Sequence, residues 1–154
     1  MEELNTNNEQ LPIEPKPVVR PMQLTVMCIL SFVGGGLMLL SNLVYSISYD
    51  MINTMIQNNE IPKSFSSIKE SLEITLAAGR GFFIVGTILN IASLTGAIMM
   101  WNLMKKGFHI YTIAQILLII SILYFVKGQG FPSGELLLSG VFVSFYAMNL
   151  KAMK

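Results

Sequence analysis

Residues 22–48, MQLTVMCILSFVGGGLMLLSNLVYSIS, pass without a single charged side chain. About 20 apolar residues in a helix cross roughly 30 Å of hydrocarbon, so this stretch can span a bilayer with length left for tilt. A signal peptide has a much shorter apolar core, set close behind a basic start and followed by a small-x-small site. Here the run arrives late and no such site follows it. It reads as a retained transmembrane helix.

Three further stretches repeat the pattern. GFFIVGTILNIASLTGAIMMWNLM (81–104) and GFHIYTIAQILLIISILYFV (107–126) are each span-length and uncharged. The last, LLLSGVFVSFYAMNL (136–150), is short, and reaches span length only when counted from Ser133 with Glu135 at the headgroup level. Of the 154 residues, 53% are hydrophobic and 12% charged, about half the charged share of a soluble domain. A surface so poor in charge suits lipid better than water. The sequence therefore predicts an all-α polytopic membrane protein, a four-transmembrane-helix bundle with spans 22–48, 81–104, 107–126 and 133–150. Three spans with a re-entrant fourth segment is the alternative. Residues 1–21 are polar and punctuated by Pro12, Pro15, Pro17 and Pro21, which points to a disordered cytoplasmic tail.

Residues 49–80 form the one sizeable loop between spans. Met51, Ile52, Met55 and Ile56 keep a helical stripe, so the first helix is expected to continue past the bilayer until Asn58, Asn59 and Pro62 stop it. Ser67 to Glu70 has the spacing of a capping box. Phe65, Ile68, Leu72 and Leu76 then give a short amphipathic helix one apolar face. It is expected on the membrane surface or against the extension of the first helix.

Four crossings put both termini and the Lys105–Lys106 turn on one side, together with Lys16, Arg20, Lys151 and Lys154. Lys63, Lys69, Arg80 and Lys127 fall on the other. The excess of basic residues near a very short loop marks the first side as cytoplasmic. Trp101, Phe108, Tyr111 and Tyr146 fall near one membrane face, and Tyr45, Tyr49, Phe82, Phe83, Tyr124, Phe125 and Phe131 near the other, as interfacial aromatics do.

Several chemistries lack their residues. No acid or base stands in the central part of any span, where proton and ion pathways place one. The single cysteine, Cys28, excludes an internal disulfide or a Cys-x-x-Cys pair. His109, the only histidine, lies at the membrane edge with no carboxylate beside it, so no metal site is expected. A net charge of +1 gives no case for nucleic acid. No cofactor is expected, and an enzyme is disfavoured.

What remains is a set of small and polar residues at helical spacing. Ser31, Gly35, Met38, Asn42 and Tyr45 share a face of the first span; Gly86, Asn90, Ser93 and Ala97 one of the second; Gly140, Ser144 and Ala147 one of the fourth. Small residues let helix backbones approach, and amides and hydroxyls bond across the seam. Packing is the leading reading of these faces; a polar cavity lined by Asn42, Asn90 and Gln115 is the alternative. A hairpin turning at Lys105–Gly107 should set Asn90 opposite Ser121 and Gln115 opposite Gly96, with a slack of one helical turn. Arg80 and Glu135, at the same boundary, are expected to pair at the outer face.

The hairpin MMWNLMKKGFHIYTIAQI, with an aromatic, a Lys-Lys-Gly-Phe turn and a tyrosine opening the next span, resembles a pattern in small uncharacterised bacterial four-span membrane proteins. That resemblance implies a bacterial inner membrane and assigns no activity. The expected role is a non-enzymatic integral membrane protein acting through lipid or helix–helix contacts, as an accessory or assembly component with a membrane-protein partner or as a homo-oligomer. The alternative is a small oligomeric transporter or channel with a neutral polar lining.

Overall fold

The computed structural model describes residues 20–58, 62, 66–126 and 132–154; apart from Arg20 and Pro21, the tail expected over 1–21 lies outside them. The described residues form five α-helices: α1 (Met22–Gln57), α2 (Ser66–Leu76), α3 (Arg80–Trp101), α4 (Lys105–Phe125) and α5 (Ser133–Met148), closed by a 3-10 turn at Leu150–Ala152. No strand occurs among them.

Three helices, α1, α3 and α4, are long and apolar enough to cross a membrane. The expected fourth span, 133–150, is corrected to a shorter helix. Asn149 turns its side chain back to the Phe145 carbonyl (2.8 Å) and the backbone tightens into the 3-10 turn. The 16 residues of α5 reach about 24 Å at 1.5 Å per residue, below the roughly 30 Å of a hydrocarbon core.

At 36 residues, α1 reaches about 54 Å and passes unbroken through Gly34–Gly36. Part of the stretch assigned to the loop 49–80 is therefore helix, ending at Asn58 where the Met51–Ile56 stripe runs out. The short helix α2 packs against this extension through Leu76, whose carbonyl accepts the Tyr49 hydroxyl (3.3 Å). Gly79 then reverses the chain at φ +81°, a backbone conformation open to glycine without a Cβ penalty.

The α3–α4 connection is Asn102–Met104, not the expected Lys105–Gly107, so both lysines open α4. Leu103 N–H bonds the Met100 carbonyl, Met104 N–H bonds the Met99 carbonyl, and Leu103 itself sits at φ 60°. This is a Schellman close with leucine in the left-handed position where glycine is usual. Leu103 is held there because its side chain packs on the buried cluster of Leu24, Cys28, Met100, Tyr111, Tyr146 and Met153.

That cluster defines one end of the bundle. The Arg20 guanidinium lies 4.0 Å over the Trp101 ring, and residue 154 exchanges backbone bonds with Leu103 and Lys105. At this end stand Arg20, Lys105, Lys106, Lys151 and Lys154, with no carboxylate among the described residues. Asp50, Glu70, Glu73 and Glu135 all lie toward the other end, where Asp50 meets Arg80 at 3.1 Å.

Candidate functional site: a cavity between four helices

The small-residue faces of α1 and α3 meet. Gly35 lies against the Leu94 side chain, and Gly86 lies so close to Asn42 that a Cβ there would be 2.7 Å from its amide oxygen. Bulk returns at both ends. At one end the Tyr111 and Tyr146 rings meet edge to face at 5.0 Å, and Tyr146 shares a 2.7 Å hydrogen bond with Ser31. At the other, Tyr45 stacks on Phe83 at 5.1 Å, with Phe82 edge-on at 5.4 Å. Between these aromatic layers, with glycine and serine in the middle, the helices leave a cavity of about 450 Å³.

Every member of the α1 face, Ser31, Gly35, Met38, Asn42 and Tyr45, lines this cavity, as do Gly86, Asn90 and Ser93 of α3. Across it, Gln115 of α4 donates to the Ser93 hydroxyl and accepts from Ser139 of α5, each at 2.9 Å. This chain ties three helices through one amide. Asn42 and Asn90 each donate to the carbonyl four residues back, Met38 and Gly86, at 2.9 and 2.8 Å. Their donors are thus used within their own helices, and each amide oxygen remains as an acceptor. Asn42, Asn90 and Gln115 line one shared cavity.

The register of α3 on α4 is displaced by about one helical turn from the centre of the expected range, the full slack that expectation allowed. Gln115 meets Ser93 rather than Gly96, and Ser121 donates to the Leu118 carbonyl of its own helix. Gly96 instead abuts the backbone of Gly107 and Tyr111. The cause is the turn: closing three residues earlier slides every pairing toward the start of α3. In a Cys28→Ser background, cysteines at 93/115 should therefore crosslink faster than cysteines at 90/121 when the purified protein is oxidised. Equal rates would remove this register.

Two other expectations are corrected. Arg80 does not pair with Glu135; Asp50 takes it, because the extension of α1 brings that carboxylate over the start of α3. Glu135 lines the cavity instead. Gly140 and Ser144 lie on the exposed side of α5, and nothing comes within 4 Å of a Cβ built on Gly140. The inward face of α5 is Ser139, Phe142 and Tyr146: the first two line the cavity and Tyr146 is fully buried in the hydrophobic cluster.

Sequence reasoning missed Ser139, Tyr146 and Gly107. The spacing 139, 142, 146 was available as a helical face, but small residues drew attention to its neighbour. Gly107 was read as a turn glycine. Among the described residues no three His, Cys, Asp or Glu side chains gather as a metal site would need.

No protein-family model, characterised protein or solved structure matches this chain. What fold and site define is therefore a class: an all-helical protein with three helices long and apolar enough to cross a membrane, and a polar-seamed cavity between its helices.

Proposed function

We propose that this is a non-enzymatic integral membrane protein whose cavity takes up a small, mostly apolar molecule carrying hydrogen-bonding groups, as a small transporter or carrier does. The observation that carries the reading is the convergence of Asn42, Asn90 and Gln115 on one cavity of about 450 Å³, within the size range of sites for drug-sized ligands. Gln115 is used in contacts between helices, whereas Asn42 and Asn90 bond only within their own helices and keep their acceptor oxygens available to an occupant. In this proposal α5 also crosses, with its short ends made up by the 3-10 turn and Pro132. Both termini and Lys105–Lys106 are then cytoplasmic, and the positive-inside rule agrees with the basic end described above. The resemblance of the α3–α4 hairpin favours a bacterial inner membrane.

The exposed Gly140, Ser144 and Ala147 on α5 favour a second reading, an accessory component docking a membrane-protein partner or a second copy there. The two readings separate by cysteine accessibility. Single cysteines at 42, 90 and 115 in Cys28→Ser should react with N-ethylmaleimide, which needs water to form the thiolate, while cysteines at the outward-facing positions 116 and 120 should not. Added triphenylphosphine oxide, a neutral aromatic probe, should slow the reaction at 115. If 115 is as inert as 116, the cavity is closed to water and the carrier reading fails. Reporter fusions after 60, 106, 129 and 154 check the crossing of α5: residues 106 and 154 should share the cytoplasmic side.

A further inference from the structure

We infer that the outer end of the cavity is a cation subsite, selecting a lipophilic molecule with a single positive charge, an amine or a quaternary onium. The inference rests on the carrier reading and names its ligand class. Among the described residues, Glu135, in the first turn of α5, is the one charged side chain lining the cavity. Its carboxylate has no ionic partner among the described residues, since Asp50 holds Arg80 and Glu73 holds Lys69. The other described lysines and arginines stand at the far end of the bundle. An exposed carboxylate on the wall of an apolar cavity, with no ionic partner among the described residues, raises the local concentration of a cationic ligand there.

The surroundings fit the same ligand. Tyr45, Phe82 and Phe83 line the cavity with Glu135. Aromatic faces attract alkylammonium and onium groups, most strongly where water is displaced. Deeper in, the Ser93–Gln115–Ser139 chain and the Asn90 oxygen offer neutral hydrogen bonds but no charge. Among the described lining residues an anionic amphiphile would meet a carboxylate and no cation, so the site discriminates by repulsion as well as attraction.

The test uses the full chain in detergent, equilibrium dialysis, and two probes of similar shape: tetraphenylphosphonium and neutral triphenylphosphine oxide. The wild type should bind the phosphonium at least tenfold more tightly than the oxide. Glu135→Gln should cut phosphonium affinity about tenfold and bring the probes level, and Glu135→Lys should abolish phosphonium binding. Glu135 is exposed, so these variants should fold, and the fluorescence of the single tryptophan, Trp101, checks that they do. Ser139→Trp, which fills the cavity, should remove both probes. If Ser139→Trp blocks both probes but Glu135→Gln leaves their ratio as in the wild type, the cation subsite is overturned and the cavity reading stands. If the wild type binds neither, the cavity reading fails and takes this inference with it.

Discussion

Adding one methyl group at Gly107 or Gly96 should destabilise the protein by about 2–3 kcal/mol, near the top of the range for overpacking a close-fitted interior. A Cβ on Gly107 would stand 2.6 Å from the Gly96 carbonyl oxygen and 2.8 Å from the Met100 nitrogen; one on Gly96 would stand 2.7 Å from the Tyr111 nitrogen. These obstacles are backbone atoms of the facing helix, so no rotamer change relieves them and α3 and α4 must move apart. Separation would carry Gln115 away from Ser93 and loosen the three-helix chain. Gly86→Ala meets only the end of the Asn42 side chain, which can swing aside, and should cost less, about 1 kcal/mol. Gly140→Ala meets nothing within 4 Å and should be neutral or stabilise by up to about 1 kcal/mol through helix propensity. Unfolding in mixed micelles of increasing SDS content, followed by Trp101 fluorescence, ranks the four. If Gly107→Ala proves as mild as Gly140→Ala, the close approach of α3 and α4 is wrong.

Gly107 also marks how far the sequence could be read. Its position after two lysines suggested a turn, since glycine commonly follows a helix end. The structure places leucine in the left-handed turn position and keeps the glycine for helix contact. The choice depends on which neighbour is crowded, and that is a tertiary fact. Uncharged length was sufficient to mark α1, α3 and α4, because it is a one-dimensional signal that the bilayer reads directly. The stripes of α1 and α3 were legible for the same reason: two small-residue faces at helical spacing can satisfy each other. α5 was legible as a helix but not in its orientation. Both its small face and its aromatic face are periodic, and only the contacts that Tyr146 finds at Ser31 of α1 and Tyr111 of α4 select the aromatic one. The ion pair failed on geometry: the extension of α1 past its uncharged stretch, visible in the Met51–Ile56 stripe, delivers Asp50 to Arg80 and leaves Glu135 to the cavity.

Tyr146 is the main attachment of α5, and its removal should free that helix before anything else fails. The side chain is fully buried, its ring edge-on to Tyr111 and its hydroxyl on Ser31, so it touches α1 and α4 together. In a water-soluble protein, truncating a large buried aromatic costs about 3–5 kcal/mol. When the separated helices remain in lipid the transfer part of that cost is absent, leaving lost packing and one interhelical bond. We therefore expect about 2 kcal/mol for Tyr146→Ala. Tyr146→Phe keeps the ring and gives up the Ser31 bond, for about 0.6 kcal/mol, the average of such bonds between membrane helices. The two costs also fall on different contacts. In Tyr146→Ala, a disulfide between cysteines at 115 and 139 should form several-fold more slowly, because it reports α4 against α5. A disulfide between 93 and 115 should form at its original rate, because the backbone contact of Gly96 with Gly107 holds α3 on α4 without help from α5. Parallel slowing of both pairs would show that α5 is built into the bundle as firmly as α3. The cavity would then have four fixed walls instead of three and a movable one, and a ligand could not reach it by displacing α5.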